Sequence, residues 1–447
     1  MKISKYTFDF TAYNKYYLYN SLSNALMEID IDSYSKVTDC IKNNADVSAK
    51  DFEKDLFTEL KNQGFLTEND IDDFLLYKSV ILKQRNDNSS MHLTIAPTMD
   101  CCFSCHYCFE KSKSPIYMSE EVMDSIVNYV IAQKSLNSIR ITWFGGEPLM
   151  AVPQMEMLYN KLTSKFSKNI VSNIITTGFH INENVIDVFN RLKIEDVQIT
   201  LDGQEETHNK VKKIRTAGNV YQTVMNNIGL LITKAPNIRT TIRVNLTKLN
   251  ADEYVGLVNE LSSRFKNSRS LSIVPAFVLN RKDNRSCQSK ETYYFDHKSR
   301  NKFILGLFEK YKLDSPYIRY PQKYFTECAI RNNCAISFDP EGYMYKCWEN
   351  IGDKKIAVGK LNKNGELVDM NHIQLNRQLY GADIFDDPVC SNCKYLPICN
   401  GGCPIQRLEN LFENRKNNYC THFKNNLIDY LKIHIFLNNH GYSNKFD

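Results

Sequence analysis

Eleven of the fourteen cysteines in this chain fall into two spaced sets, and this spacing limits what the chain can bind and fold around. The first set is Cys101-x3-Cys105-x2-Cys108. Three thiolates this close together cannot all reach one disulfide partner, but they can hold one metal cluster. A [4Fe–4S] cluster takes four ligands, so three protein thiolates leave one iron open to a small molecule. The second set lies in the tail and consists of Cys328, Cys334, Cys347, Cys390, Cys393, Cys399, Cys403 and Cys420.

The composition restricts the partners and the compartment. A chain of 447 residues is too long for a single hydrophobic core of ordinary size, so two or three domains are expected. The formal charge of +5 arises from 56 basic and 51 acidic residues, and this near balance predicts no nucleic-acid partner. The N-terminus lacks the apolar core of a signal peptide, and no apolar run is long enough to span a membrane. Many cysteines without a secretion signal indicate the reducing cytoplasm and metal ligands rather than disulfides.

A glycine-rich segment accompanies the first cysteine set. The apolar stretch Ile139–Thr142 predicts a strand, and Gly145, Gly146 and Glu147 follow it. Glycines at a strand end let the backbone approach a ligand closely, and a glutamate there can accept a hydrogen bond from an ammonium group. Structural zinc is the alternative ligand for closely spaced cysteines. The glycine-rich segment favours a cluster that binds a small molecule.

The first cysteine set, with Tyr107 before its third member, resembles the signature of radical S-adenosylmethionine (radical SAM) enzymes. The resemblance implies a cytoplasmic oxidoreductase in which the open iron binds the amino and carboxylate groups of S-adenosylmethionine. An electron from the cluster then releases a 5′-deoxyadenosyl radical, which abstracts a hydrogen atom. By the same resemblance Gly145, Gly146 and Glu147 form the site for the methionyl amine, and Tyr107 belongs to the cofactor site.

From Met91 onward, strands and helices alternate, which predicts a parallel α/β sheet. The resemblance specifies a partial (β/α)6 barrel of the TIM type over residues 91–300, with its chemistry at the C-terminal strand ends. The predicted strands are His92–Ala96, Ile139–Phe144, Asn173–Thr177, Asp196–Asp202, Thr240–Asn245 and Ser270–Pro275.

The segment after the fourth predicted strand, T-L-D-G-Q-E-E-T-H, resembles the S-L-D-G-P-x-E-x-H segment of this family branch. The resemblance implies that Thr200 and Asp202 approach the cofactor and that Arg215 contacts its carboxylate. Thr200 replaces the usual serine and keeps the hydroxyl, whereas Gln204 replaces the usual proline. For His208 we expect a packing role rather than catalysis.

The tail, residues 305–447, resembles the cysteine-rich SPASM domain, and the resemblance implies two auxiliary [4Fe–4S] clusters and so three clusters in all. A zinc ribbon is the alternative. Some relatives lack the ligand that matches Cys328, so whether the first auxiliary cluster is fully ligated stays open. By the family pattern the first auxiliary cluster is held by Cys328, Cys334, Cys347 and Cys403. The second is held by Cys390, Cys393, Cys399 and Cys420.

Residues 1–85 show a predicted hairpin followed by helices, with strands at Tyr16–Asn20 and Ala25–Asp30 and helices at Asp51–Gly64 and Ile71–Leu82. This order is similar to the small winged-helix element that recognises leader peptides in many peptide-modifying radical enzymes. Such elements add an extended peptide to a sheet edge. The alternative is an N-terminal structural cap. The polar stretch 85–90 predicts a linker.

Together the resemblances imply a maturase of a ribosomally made precursor peptide that installs a cysteine thioether crosslink. The expected partners are the precursor peptide and an electron donor such as flavodoxin or ferredoxin. The alternatives are a carbon–carbon or ether crosslink, or formylglycine formation in a sulfatase. Sulfatase maturases carry an aspartate after the cysteine that matches Cys347, where this chain has Trp348 and then Glu349. An electron-transfer protein without radical chemistry is a further alternative.

Overall fold

The computed structural model describes residues 1–108, 110, 114–213, 218–266, 268–279, 293–313 and 320–440. Arg215 therefore lies outside the described residues. No helix in the described part of the chain is both long and apolar enough to cross a membrane.

A central sheet of six parallel strands confirms the predicted mixed α/β class. In most of these strands alternate side chains are buried; in the second of them, Ile139, Ile141 and Trp143 are at most 1% exposed. The strands follow the predicted segments with ends shifted by up to four residues. They are β6 (Ser90–Ile95), β7 (Ser138–Trp143), β8 (Asn169–Thr176), β9 (Ile194–Leu201), β10 (Arg239–Leu246) and β11 (Leu271–Phe277).

Helices connect these strands and pack their apolar faces on the sheet, as parallel pairing requires. Side-chain caps begin several of them; Ser119, for example, accepts from the amide of Val122 at 3.4 Å. The helices are α4 (Glu120–Ala132), α5 (Val152–Lys165), α6 (Glu183–Arg191), α7 (Glu205–Val211), α8 (Val220–Lys234) and α9 (Glu253–Arg264).

The tail continues the same sheet. Strand β12 (Ala335–Phe338) pairs in parallel with β6, and β13 (Tyr343–Tyr345), β14 (Gly359–Leu361) and β15 (Leu367–Val368) follow in antiparallel order. These strands are two to four residues long, too short to give a period-two signal in the sequence. Helix α10 (His297–Tyr311) leads into the tail. The tail helices are α11 (His372–Tyr380), α12 (Pro388–Ser391), α13 (Leu396–Cys399), α14 (Pro404–Glu413) and α15 (Leu427–Asn439).

The front unit, residues 1–85, contains a three-stranded antiparallel sheet in the order β2–β3–β4. The sequence predicted two of these strands and missed the first, which turns into the second at Tyr13 and Asn14. Both turn residues have positive φ, 51° and 60°, as a type I′ turn needs, but neither is the glycine that usually signals it. The strands are β2 (Thr7–Ala12), β3 (Lys15–Asn20) and β4 (Ala25–Ile29), and a short pair joins β1 (Lys2–Ile3) to β5 (Leu66–Thr67).

Three helices complete the front unit. The first, α1 (Ile31–Asn43), was not predicted because its sequence is largely polar; Asp30 caps it by accepting from the amide of Ser33 at 2.9 Å. The second, α2 (Lys54–Asn62), begins three residues later than predicted because Ala49–Asp51 forms a separate 3₁₀ turn. The third, α3 (Asp73–Arg85), extends through Arg85, so the polar stretch that predicted a linker begins inside a helix.

Candidate active site

The loop after β6 carries the first cysteine set to the edge of a large cavity. Cys101, Cys105 and Cys108 line this cavity, whose volume is about 830 Å³. Tyr107 fixes the loop: its hydroxyl donates to the Asp202 carboxylate and accepts from Asn245 Nδ2 at 3.0 Å. Asp202 follows β9 and Asn245 lies in β10, so the cysteine loop is tied to the carboxyl ends of two parallel strands. The sequence predicted this location.

Gly145 and Gly146 leave room for the start of the cysteine loop. Gly145 has a φ of 116°, and a Cβ there would lie 2.4 Å from the carbonyl oxygen of Thr98. A Cβ on Gly146 would lie 2.1 Å from the carbonyl oxygen of Asp100. Both glycines line the cavity. A close approach between backbone segments therefore requires glycine here, in addition to any ligand.

Glu147 is fully buried and accepts four hydrogen bonds. Its Oε1 accepts from the amide of Leu149 at 3.1 Å and from Thr176 Oγ1 at 2.6 Å. Its Oε2 accepts from the amide and the hydroxyl of Thr177 at 2.8 and 2.6 Å. These donors use the lone pairs of both carboxylate oxygens. Glu147 thus fixes Thr176 and Thr177, which line the cavity. The sequence places Thr177 at the C-terminal end of a predicted strand but indicates no role for either threonine.

Lys212 is a buried cation in the cavity wall. It is 5% exposed, and its Nζ lies 3.6 Å from Asp202 Oδ2. Burial alone would lower the pKa of Lys212, but Tyr107, Asp202 and the cysteines Cys105 and Cys101 outweigh it, so the pKa lies well above its usual value. The ammonium therefore stays charged beside the cysteine loop.

The family resemblance assigned the carboxylate contact to Arg215 and gave no role to Lys212. In the sequence, Lys212 is marked only as one of two adjacent lysines after the helical segment that follows Asp202. Asp202 itself is 1% exposed and lies behind the cavity wall, whereas Thr200 lines the cavity.

His208 packs against this network, as expected. Its Nδ1 accepts from the amide of Asp202 at 3.2 Å, and burial lowers its pKa to about 4, so the ring is neutral at physiological pH. His208 is 1% exposed and does not line the cavity. The ring therefore supports Asp202.

Tail cysteines line the same cavity as the first set. They are Cys399, Cys403 and Cys420, and Trp348 and Glu349 also line it. Trp348 packs edge-on against Phe144, with ring centroids 5.1 Å apart.

A second cavity of about 380 Å³ is lined by the four cysteines assigned to the second auxiliary cluster: Cys390, Cys393, Cys399 and Cys420. Two cations accompany them. Arg407 Nη1 lies 3.2 Å from the sulfur of Cys390, and Lys424 Nζ lies 3.4 Å from the sulfur of Cys420. Positive charge beside these sulfurs suits thiolate ligands.

Of the remaining tail cysteines, Cys347 is buried. Burial raises the pKa of Cys347, and Glu349, Cys328 and Cys403 raise it further. Lys346 is within electrostatic reach of Cys334 and Cys328, while burial lowers its pKa to about 8. The sulfur of Cys334 donates to Asn88 Oδ1 at 3.2 Å. Among the described residues, no three His, Cys, Asp or Glu side chains surround one point as coordination of a single zinc ion requires.

The donor set fits an iron–sulfur cluster with a bound carboxylate-bearing ligand, because three thiols and a buried ammonium line one cavity. Comparison with known proteins agrees with this chemistry. Residues 95–261 match the family model of the radical SAM superfamily.

Two curated relatives match over most of this chain. The cysteine-type anaerobic sulfatase-maturating enzyme of Clostridium novyi (strain NT) is 23% identical over 368 residues, 75% of this chain and 94% of that protein. The serine-type enzyme of Bacteroides thetaiotaomicron is 20% identical over 337 residues, 69% of this chain and 80% of that protein. A solved structure, native anSMEcpe with bound AdoMet, shares the fold with a TM-score of 0.58 at 19% identity, covering 78% of this chain and 98% of that one.

Proposed function

We propose that this chain, which carries a radical SAM domain and is a radical SAM enzyme, modifies a ribosomally made precursor peptide by installing a cysteine thioether crosslink. The family implies one [4Fe–4S] cluster and S-adenosylmethionine. When bound, these groups supply a 5′-deoxyadenosyl radical that abstracts a hydrogen atom from the substrate. The observation that carries the proposal is the shared cavity: thiols of the first cysteine set and of the tail line it together.

Within this proposal the residues of the first cysteine loop hold the catalytic cluster. Cys101, Cys105 and Cys108 are its ligands, and Tyr107 positions their loop through Asp202 and Asn245. These hydrogen bonds of Tyr107 are important because a small displacement of a reacting group slows catalysis strongly.

The cofactor is held by the surrounding wall. Lys212 is assigned to the cofactor carboxylate because it is a buried cation that lines the cavity. Arg215 stays a candidate from the sequence alone. Glu147, with Thr176 and Thr177, holds the part of the wall assigned to the methionyl amine. Gly145 and Gly146 admit the loop, and Thr200 lines the cavity beside them.

The tail is proposed to hold two further clusters, as the sequence resemblance implies. The cavity lined by Cys390, Cys393, Cys399 and Cys420 supports the second of them. Thioether formation removes two hydrogens from the peptide: one goes to the adenosyl group, and the other leaves as a proton and an electron. The auxiliary clusters are assigned the electron, and flavodoxin or ferredoxin is the proposed external donor.

The front unit is proposed to hold the leader of the precursor peptide. Strand β4 has β3 on one side, and no other described strand pairs with its outer edge. An extended leader can add there as a further strand. The Clostridium novyi enzyme is matched over nearly all of its length but over only 75% of this chain, so a quarter of this chain has no counterpart in that match. This surplus supports a substrate different from a sulfatase.

Formylglycine formation is the second candidate, because the curated relatives are sulfatase-maturating enzymes. Sulfatase maturases are expected to carry an aspartate directly after the cysteine that matches Cys347. In this chain that position is Trp348, and both Trp348 and the following Glu349 line the cavity. The deciding experiment incubates the reconstituted enzyme anaerobically with S-adenosylmethionine, a reductant and one of two peptides. One is a cysteine-containing precursor peptide encoded by an open reading frame beside the gene for this chain, and the other is a sulfatase peptide. We expect a precursor that is two hydrogens lighter and whose cysteine resists alkylation. An aldehyde on the sulfatase peptide, with an unchanged precursor, would establish the second candidate instead.

A further inference from the structure

Helix α3 of the front unit lies against the tail near the second auxiliary set. The Tyr77 hydroxyl donates to Asn400 Oδ1 at 3.0 Å, and Asn400 directly follows Cys399. Asn400 has a φ of 50°, and its Nδ2 donates to the carbonyl oxygen of Thr326 at 2.7 Å. Tyr77 is 2% exposed, so this contact is inside the molecule.

The other end of the same helix contacts the first auxiliary set. Arg85 is 5% exposed and pairs with Glu327 and with Asp383, whose Oδ2 lies 2.6 Å from Nη1. The backbone carbonyl of Arg85 accepts from the amide of Asn333 at 3.2 Å. Glu327 precedes Cys328, and Asn333 precedes Cys334.

Between these two ends the contact is apolar. Tyr6, Tyr77 and Ile81 of the front unit form one buried cluster with Ile384, Phe385 and Leu396 of the tail. Cys390 packs against this cluster. The front unit and the cysteine-bearing loops therefore share a core.

We propose that helix α3 is a rigid support shared by both auxiliary cysteine sets, with Tyr77 and Arg85 as its positioning residues. Eight residues separate the two, which places them about 12 Å apart along the helix axis. The inference rests on the proposed function in taking these cysteines as cluster ligands. It assigns the front unit a role at the metal sites in addition to leader binding.

The lengths of the elements explain why the tail needs this support. The helices that carry Cys390 and Cys399, α12 and α13, have four residues each and cannot hold a helical conformation alone. Helix α3 has thirteen residues, and Asp72 caps it by accepting from the amides of Phe74 and Leu75. The longer helix therefore fixes the spacing of the shorter ones.

The test measures hydrogen exchange in the full-length reconstituted enzyme. Tyr77→Phe removes one hydroxyl and keeps the ring, so exchange should become about fivefold faster in 396–402 and stay unchanged in 328–334. Arg85→Lys removes the guanidinium group that hydrogen-bonds to both Glu327 and Asp383. Hydrogen exchange should therefore become about tenfold faster in residues 328–334 and stay unchanged in residues 396–402. Should Arg85→Lys not fold, Asn86→Ala serves, because Asn86 Oδ1 accepts from Asn333 Nδ2 at 3.1 Å.

Leu75→Ala is the matched control, since Leu75 lies on the same helix and is 57% exposed. Each positioning variant should also change the electron paramagnetic resonance signal of one auxiliary cluster only. The proposal is overturned if a variant leaves its own segment at the wild-type exchange rate, or if each variant loosens both segments equally. A wild-type enzyme with about four irons would contradict the three-cluster proposal, while the exchange comparison would still decide the role of helix α3.

Discussion

Lys212 and Asp202 form a buried ion pair, with Nζ and Oδ2 3.6 Å apart, at the wall of the cavity that the first cysteine set lines. Asp202 also accepts from the Tyr107 hydroxyl, so one carboxylate links the cysteine loop to the cation. This arrangement assigns the two residues different tasks. Lys212 lines the cavity, whereas Asp202 lies behind its wall and contacts both Lys212 and Tyr107 of the cysteine loop.

Lys212→Met should weaken S-adenosylmethionine binding by about tenfold to a hundredfold, because a hydrogen bond to a charged group contributes about 1.5–3 kcal/mol. Iron content should stay at the wild-type level. Isothermal titration under anaerobic conditions measures the affinity. Lys213→Met is the control, since Lys213 is exposed. Equal affinities of the two variants would exclude the assignment of Lys212.

Glu147→Gln should lower the melting temperature and the affinity for S-adenosylmethionine together. The amide nitrogen of glutamine would face the donors of Thr176 or Thr177, leaving buried groups without an acceptor at a cost of about 1–3 kcal/mol each. Glu121→Gln, at an exposed position of α4, should change neither quantity. If Glu147→Gln melted like the wild type, the four hydrogen bonds would not hold the wall.

His208 should make stability depend on pH. Its pKa falls from 6.5 to about 4 on folding, so the unfolded chain binds the proton more readily. The stabilisation is complete above about pH 6.5 and is lost as the pH falls towards 4. His208→Gln removes this titration, so its melting temperature should decline less than that of the wild type between pH 7 and pH 5. Parallel declines would show that folding does not lower the pKa of His208.

Replacing Cys390 and Cys393 by alanine should remove about four irons and abolish peptide modification, yet leave 5′-deoxyadenosine formation in place. The reason is that the proposed cofactor site uses none of these residues. Circular dichroism must first establish that the variant is folded, because cluster binding and folding are coupled. Continued crosslinking by a folded variant would remove the second auxiliary cluster from the reaction.

The sequence predicted the parallel strands well, because alternation such as Ile139, Ile141 and Trp143 is a local signal. It could not predict that β12 pairs with β6, since that contact joins short segments far apart in the chain. Nor could it separate Lys212 from its neighbour Lys213: only the fold decides which one is buried. Gly145 and Gly146 were expected to let a ligand approach. In the structure, a Cβ at these two positions would clash with the backbone of Thr98 and Asp100.

The contacts of the front unit with the tail also could not be predicted from the sequence. Helix α3 was predicted, but its contacts with the tail depend on single residues such as Tyr77 and Arg85. Their partners, Asn400 and Glu327, lie hundreds of residues away, so no local pattern reports them.

In the proposed function, Cys101, Cys105 and Cys108 hold the cluster that acts on S-adenosylmethionine to modify a peptide. The most direct measurement compares the wild type with the variant in which all three are alanine, under anaerobic reduction with the precursor peptide. The wild type should form 5′-deoxyadenosine and a peptide two hydrogens lighter in equimolar amounts, and the variant should form neither while losing about four irons. Formation of 5′-deoxyadenosine by the variant would contradict the account.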